Sequence, residues 1–316
     1  MMKPKLNRGR VWLGIVLGIA YGIITRLVIG QQATLASLTY LFIIPTILGV
    51  IPLVVAYNET PKSYANNIFV CWLTVAAFLL SMYFFGIEDF ISSLVLAVPF
   101  FLLATVVAMS VKTLQFARNK RNGILLALML LPFLFAVIEN NVRTPTDTYN
   151  VKSTVTINAT SEKIWNNIVE VHTIDSQEYK AGFFNSIGIP RPISASVNKK
   201  ELGGKRIGNF EGGLTFLETI TVYEEQKKIS FDINIDPTTV GHNPFYQNVL
   251  HSKYFKFLDA TYELTELESG EFQLTLNSSY QLSSTINFYG KYWGDMILSD
   301  FQDRLLYVIE TRCEDK

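Results

Sequence analysis

The chain has 316 residues, of which 49% are hydrophobic and 17% are charged, and its formal net charge is zero. A chain of this length has room for two domains. The zero net charge conceals a division, because residues 1–146 carry eleven Lys or Arg and four Asp or Glu, whereas residues 147–316 carry sixteen and twenty-three. Since the second part is acidic and the first is basic only between its apolar segments, the composition argues against a nucleic-acid partner. We therefore expect two domains, 1–146 and 147–316, in different environments.

Five apolar segments of the first part predict membrane-spanning helices, at about 11–30, 38–57, 67–86, 91–111 and 123–139. A helix needs about 20 apolar residues to cross a hydrocarbon core of about 30 Å. The fifth segment is the shortest and contains Pro132, so its bounds are the least defined. Basic residues precede the first segment, as in a signal peptide, but it lacks a small-residue cleavage site and is interpreted as a retained helix. The lipid bilayer is thus a predicted partner.

The charges between these segments predict an orientation. Three of the flanking stretches are basic, through Lys3, Lys5, Arg8, Arg10, Lys62, Lys112, Arg118, Lys120 and Arg121. Because basic loops stay in the cytoplasm, five spans place the C-terminal domain on the non-cytoplasmic side of the plasma membrane. An even number of spans would reverse this. Arg26 is expected near the outer end of the first helix, where its side chain can reach the lipid headgroups, or else it is a functional charge within the membrane.

Residues 147–316 show alternation typical of a sheet. "VKSTVTI" (151–157) alternates, and Ser161–Val171 predicts an amphipathic helix with Ser161, or Thr160 beside it, as the N-cap. Further strands are predicted near 194–199, 204–211, 214–223, 227–235, 254–266 and 271–283. A long helix, about Ile286 to Glu314, follows. Its apolar stripe is expected to press on the buried sheet face through Tyr289, Trp293, Met296, Ile297, Phe301, Leu305 and Val308.

This order of elements, beginning with "INATSEKIWNNI" (157–168), resembles the helix-grip (SRPBCC) superfamily, which includes START lipid-transfer domains, the birch-pollen allergen and polyketide cyclases. The stretch "RIGNFEGGLTFLETITVYEEQKKISFDI" (206–233) is similar to the middle of bacterial polyketide cyclase-like sequences. The resemblance implies an α+β fold, in which a curved antiparallel sheet surrounds the long C-terminal helix and an apolar cavity lies between them. It implies no catalytic residue, because the superfamily shares none.

Few residues suggest chemistry. The three histidines match no metal-binding spacing, and no cofactor motif is present, so neither a metal nor a cofactor is predicted. Glu218 shares strand parity with apolar neighbours, which makes it either a carboxylate inside the cavity, available for proton transfer, or the partner of Arg206. Asp300 and Arg304 are expected to form an intrahelical ion pair, or else to contact a ligand headgroup.

The sheet face, the long helix and two aromatic loops, 179–192 and 241–255, together predict a ligand cavity. Its expected lining is Phe183, Phe184, Phe216, Glu218, Phe231, Tyr246, Tyr280, Tyr289, Trp293 and Ile297. The sequence therefore predicts a membrane-anchored protein that binds a lipid-like or other hydrophobic ligand, since a tethered cavity experiences a high local concentration of lipid. Two alternatives stay open: an enzyme of the polyketide cyclase/dehydratase type that uses Glu218, and a structural or sensory module with a closed core.

Overall fold

The chain divides into two compact units, Met1–Thr144 and Pro145–Lys316. In this computed structural model the described residues are 8–29, 37–56, 63–114, 121–142, 144–241, 244–250 and 252–314. The first unit is helical and the second combines a sheet with helices.

The described residues of the first unit form five α-helices: α1 (Arg8–Ile29), α2 (Ile44–Val55), α3 (Tyr64–Phe84), α4 (Phe90–Leu114) and α5 (Arg121–Asn141). A π-helical turn, Thr39–Ile43, leads into α2. Three segments are long and apolar enough to cross a membrane, namely Gly9–Ile29, Tyr64–Phe84 and Phe90–Ser110. Thr39–Val55 and Met129–Glu139 are shorter apolar stretches. Length and hydropathy thus support three of the five predicted spans.

Small residues let the helices of this unit approach one another closely. A Cβ atom on Gly14 would lie 2.8 Å from the Pro52 backbone, and one on Gly22 would lie 2.7 Å from the Phe78 ring. Gly18, between them, would meet Thr74 at 2.8 Å. Glycines four residues apart form one stripe on a helix, as is common where apolar helices pack inside a bilayer.

Arg26 does not reach toward headgroups, and that prediction is wrong. Its side chain is 1% exposed, and its Nε donates to Glu88 Oε1 at 2.9 Å. The Arg26 guanidinium also lies 5.8 Å from the centre of the Tyr40 ring. Glu88 lies in the connection between α3 and α4. Because it supplies a buried counter-ion, the arginine charge is neutralised within the protein.

The second unit is built on one seven-stranded antiparallel sheet. Its elements are β1 (Thr146–Ile157), α6 (Ser161–Val169), α7 (Phe183–Ser186), β2 (Pro192–Val197), β3 (Lys205–Phe210), β4 (Thr215–Glu224), β5 (Lys228–Ile235), α8 (Pro244–Val249), β6 (Phe255–Glu266), β7 (Phe272–Ser283) and α9 (Asn287–Glu314). The strand order is β1-β7-β6-β5-β4-β3-β2. An antiparallel sheet with one long C-terminal helix is confirmed.

The helix α9 lies over β1 and β7. Gln302 is fully buried, and its Nε2 donates to the Val151 carbonyl at 3.1 Å and to Ser278 Oγ at 2.9 Å. Leu305 and Val308 are buried as predicted, and they join Trp165 of α6 in the main core. The C-terminal half of α9 therefore closes one end of the domain.

The N-terminal half of α9 has a different register from the predicted one. Two glycines of this half lie in close contact with β7, since a Cβ on Gly290 would lie 2.9 Å from Leu282 and one on Gly294 would lie 2.8 Å from the Tyr280 hydroxyl. Trp293 is only half-buried, and Met296 is 38% exposed. Because a glycine has no side chain, Gly290 and Gly294 allow a close approach of α9 to the sheet.

The cap of α6 is Thr160 rather than Ser161. The Thr160 side chain accepts a hydrogen bond from the Lys163 amide at 3.3 Å, which satisfies a donor in the first turn. Ser161 instead donates to Gln226 Oε1 at 2.6 Å. Gln226 occupies the turn between β4 and β5 with a φ of 58°, so this contact supports a strained residue.

Candidate functional site

The strand register defines an inner sheet face, the face that α9 covers. Val151 pairs with Ser278, and both contact Gln302 of α9. Because side chains alternate along a strand, Tyr149 of β1 and Tyr280 of β7 share this face. Phe257 is the partner of Tyr280 on β6, so it lies on the same side.

An aromatic row crosses this face. Its six members are Phe210, Phe216, Phe257, Phe255, Tyr280 and Tyr149. In that order, successive ring centres are separated by 4.5, 5.4, 4.8, 5.7 and 5.7 Å. Phe301 of α9 approaches the row at Phe210, with ring centres 6.0 Å apart.

The aromatic row is incompletely covered. Of its six members only Tyr280 is buried, while the other five are half-buried. At the other end of the same face, Leu274, Leu276 and Ile229 are at most 2% exposed beneath α6 and the C-terminal half of α9. One end of the inner face is therefore a closed core, and the other end leaves part of the aromatic row accessible to solvent.

Glu218 and Arg206 form a buried ion pair beside the row. Arg206 Nη1 donates to Glu218 Oε2 at 2.6 Å, and both residues are less than a tenth exposed. The Arg206 guanidinium also lies 4.6 Å from the centre of the Phe231 ring, and its Nη2 donates to the Ile168 carbonyl at 3.3 Å. Burial raises the pKa of nearby Tyr262 to about 12, so this hydroxyl stays protonated. Glu218 is thus the partner of a fixed cation, as the pairing hypothesis expects.

Tyr280 is held from above by α9. Its hydroxyl donates to Asp295 Oδ1 at 2.7 Å, and Asp295 in turn forms an ion pair with Lys291. Burial, together with the hydrogen bond to the Asp295 carboxylate, raises the pKa of Tyr280. The ring is therefore neutral and fixed in orientation.

The other predicted cavity residues lie around the row. Phe231 is fully buried beneath Arg206. Phe184 is buried in α7, whereas its neighbour Phe183 is 57% exposed. The Tyr246 hydroxyl donates to the Gly188 carbonyl at 2.7 Å, which ties α8 to the loop after α7. Tyr289, Trp293 and Ile297 of α9 are half-buried and lie outside the row.

Asp300 and Arg304 form the expected intrahelical ion pair at 2.7 Å. Arg304 Nη1 also donates to the Lys180 carbonyl, so the pair fastens the loop before α7 to α9. Within the part of the chain that the structure describes, no cluster of potential metal ligands occurs. His242 and His251 lie outside the described residues.

The sequence interpretation placed Phe216 and Tyr280 in the cavity but missed Phe210, Phe255, Phe257 and Tyr149. Phe255 and Phe257 alternate in "YFKFLD", which is a detectable signal for one face of a strand. Tyr149 precedes the alternating segment 151–157, and Phe210 lies near the end of the predicted strand 204–211. The row brings together residues of five strands, which requires the pairing of six neighbouring strands that local patterns do not reveal.

No protein-family model and no curated protein matches the chain. Over about half of its length the chain is similar to solved bacterial proteins. These include a protein from Nitrosospira multiformis, with 15% identity over 52% of this chain and 96% of that one, and a TM-score of 0.34. An uncharacterised protein from Rhizobium leguminosarum matches at 9% identity over 55% and 100%, with a TM-score of 0.35. The Aha1 dimer from Colwellia psychrerythraea matches at 14% identity over 52% and 96%, with a TM-score of 0.31. Similarities at this level assign neither a family nor a function.

Proposed function

We propose that the chain is a plasma-membrane protein with five spans, and that its second unit is a helix-grip domain that binds a lipid-like or other hydrophobic ligand. The observation that carries this proposal is the aromatic row. Five of its six residues are only half-buried, on the sheet face that α9 covers. Apolar surface that is partly enclosed is a common feature of ligand sites.

The two other functions have less support. A general base must have a lone pair directed at the substrate, and the carboxylates beside the row are already engaged. Glu218 is paired with Arg206 at 2.6 Å, and Asp295 accepts from the Tyr280 hydroxyl and pairs with Lys291. A closed structural module would bury its inner face along the whole length, as the core around Trp165 does. The half-buried row departs from that pattern, so binding is the better explanation.

The proposal is tested with two adjacent substitutions on β4. Phe216 belongs to the aromatic row, whereas Leu217 points to the opposite face and is 41% exposed. The full chain and the variants Phe216→Ala and Leu217→Ala are purified in detergent, and the co-purified lipid is extracted and quantified by mass spectrometry. We expect Phe216→Ala to reduce the lipid retained per protein several-fold, because it removes one ring from the row.

Leu217→Ala serves as the matched control and should retain as much lipid as the parent. Equal lipid content in all three proteins would mean that the inner face does not hold the ligand. If the parent protein neither retained lipid during purification nor bound lipid that was added afterwards, the binding function itself would be overturned.

A further inference from the structure

The sheet of the second unit has two ends of contrasting chemistry. The tethered end is where β1 begins at Thr146 and pairs with Ser283, directly after the chain enters the unit at Pro145. The distal end is where Ile157 pairs with Phe272. The turns of the distal end are strongly charged, through Lys199, Lys200, Glu201, Glu225, Lys227, Glu268 and Glu271.

Tyr149 and Phe255, two half-buried members of the aromatic row, lie toward the tethered end. Tyr149 follows Thr146 by three residues, which corresponds to about 10 Å along a strand. Its cross-strand partner is Tyr280, and Phe255 pairs with Leu282 near the end of β7. The proposed ligand site thus opens where the chain enters the domain.

The first turn of α9 is fixed beside the same point. Asn287 is buried, and its Nδ2 donates to the Pro145 carbonyl at 3.2 Å and to Asp147 Oδ2 at 2.7 Å. Asn287 Oδ1 accepts from the Ser284 amide at 2.8 Å. These bonds hold the beginning of α9 against the beginning of β1.

An apolar stripe runs along the outer side of these turns of α9. Phe288, Tyr292 and Met296 follow one another at intervals of four residues, so they lie on one helix face. They are 67%, 60% and 38% exposed, whereas the sheet-facing Gly290 and Gly294 contact β7. Phe, Tyr and Met in such a row are costly to leave in water.

We propose that this outer stripe of α9 docks on the surface of the lipid bilayer, so that the tethered end of the domain takes its ligand directly from the membrane. This inference rests on the proposed function. The helix α5 ends at Asn141, only four residues before Pro145. Even a fully extended connection of that length spans about 14 Å. The covalent length of this connection therefore limits how far Pro145 can lie from the end of α5.

The bilayer is a better occupant than a second protein for two reasons. Aromatic side chains with a polar group, such as that of Tyr292, favour the interface between headgroups and acyl chains. A short tether also gives the bilayer a far higher effective concentration than any freely diffusing protein. The charged turns lie at the distal end, where they would face water.

The test compares two exposed positions in the full chain. A single cysteine is introduced by Tyr292→Cys on the stripe or by Leu202→Cys in a distal turn, where Leu202 is 69% exposed. Both variants carry Cys71→Ala and Cys313→Ala, and each is labelled with an environment-sensitive fluorophore. They are placed in phosphatidylcholine nanodiscs that contain a lipid with a nitroxide on its upper acyl chain. We expect several-fold stronger quenching at position 292 than at position 202.

Equal quenching at the two positions, or stronger quenching at position 202, would overturn the docking. Energy transfer between copies labelled at position 292, without quenching by the nitroxide lipid, would assign the stripe to self-association and also overturn it. Lipid retained by the same samples is measured separately. Retained lipid without quenching would refute only the docking, whereas quenching without retained lipid would refute only the binding function.

A second variant tests the route of the ligand. Phe288→Asp with Tyr292→Asp places two carboxylates on the stripe, at positions that do not contribute to the core. We expect transfer of a fluorescent phosphatidylcholine from vesicles to the protein to slow several-fold, while lipid already bound is retained. An unchanged transfer rate would show that the ligand does not enter through this surface.

Discussion

Arg206 and Glu218 form a buried ion pair on the inner face of the sheet. Each ion has the other as its charged partner at 2.6 Å, and both are nearly excluded from water. Removal of one member leaves the other buried without a counter-ion, which is far more costly than removal of both. Arg206 thus fixes the Glu218 side chain beside the aromatic row, and the Glu218 carboxylate is occupied by this ion pair.

We predict that Glu218→Gln lowers the free energy of unfolding by about 3–5 kcal/mol. The double variant Arg206→Met/Glu218→Leu should lose much less, because no charge is then left buried. Thermal and denaturant unfolding of the purified chain, followed by Trp165 fluorescence, would measure both changes. Lipid retained per folded molecule should be nearly the same in Glu218→Gln as in the parent. A double variant as unstable as Glu218→Gln would contradict this account of the pair.

The two buried ion pairs differ in how far the sequence could predict them. Arg206 and Glu218 lie on neighbouring strands joined by a short turn, so strand parity places Glu218 on the apolar face and makes Arg206 one candidate for its partner. Arg26 and Glu88 are 62 positions apart and belong to different helices. Their contact depends on how α1 packs beside the α3–α4 connection, and no local periodicity carries that information.

The two halves of α9 pack in different ways. Its C-terminal half is a core helix, and its N-terminal half approaches the sheet through glycines. A glycine inside a helix normally costs about 0.5–1 kcal/mol relative to alanine. Gly294 must therefore be retained for its close contact with Tyr280.

We predict that Gly294→Ala destabilises the protein instead of stabilising it. The new Cβ would lie 2.8 Å from the hydroxyl and 3.0 Å from Cζ of Tyr280, a ring that is fully buried and cannot move aside. Gly290→Ala is a milder comparison, because the atom that it meets is the end of the flexible Leu282 side chain. The melting temperature of Gly294→Ala should therefore be lower than that of Gly290→Ala. A higher melting temperature for Gly294→Ala than for the parent would refute the proposed contact.

The segment after α7 is held by a second ionic element. Arg191 Nε donates to Glu211 Oε1 at 2.9 Å, and the Arg191 amide donates to Glu211 Oε2 at 3.2 Å. The side-chain hydrogen bond from Arg191 lowers the pKa of Glu211 below its ordinary value of 4.5. The pairing therefore stabilises the folded protein above pH 4.5, and this contribution is lost as the pH falls through the lowered pKa.

Glu211→Gln should consequently reduce the melting temperature at neutral pH by a small amount. The difference between parent and variant should shrink as the pH is lowered below about 4.5, since protonation removes the same charge. Melting curves of both proteins across this range would measure the effect. A difference that grows on acidification would mean that the pair has the opposite influence.

Element boundaries could be predicted where the pattern was local. Five of the strands after α6 begin and end within one residue of the prediction, because alternation and turn residues mark them. By contrast, β1 begins at Thr146 rather than near Val151. Its first residues are polar and exposed at the edge of the sheet, so they show no alternation. The aromatic row was only partly foreseen for the same reason: it needs strand pairing, which the sequence does not display.

At the scale of the whole molecule, the basic loops of the first part predict which side of the membrane the domain occupies. Ser269 is exposed in a distal turn, and Asn119 belongs to the basic stretch between the fourth and fifth predicted spans. We expect a membrane-impermeant thiol reagent on intact cells to modify Ser269→Cys and to spare Asn119→Cys. The reverse pattern would place the domain in the cytoplasm and rule out an odd number of spans with the N-terminus inside.

The strand order also determines when the domain can fold. The strand β1 is made first, but its only neighbour is β7, and Thr146 contacts Ser283 across 137 positions of sequence. Loop closure over such a distance is slow, and it cannot begin until nearly the whole unit has been synthesised. During that interval the alternating apolar side chains of β1 have no sheet to join. The domain must therefore pass through a stage in which β1 is unpaired and the chain is prone to aggregation. A chain that is already inserted in the bilayer is kept apart from its copies while it folds.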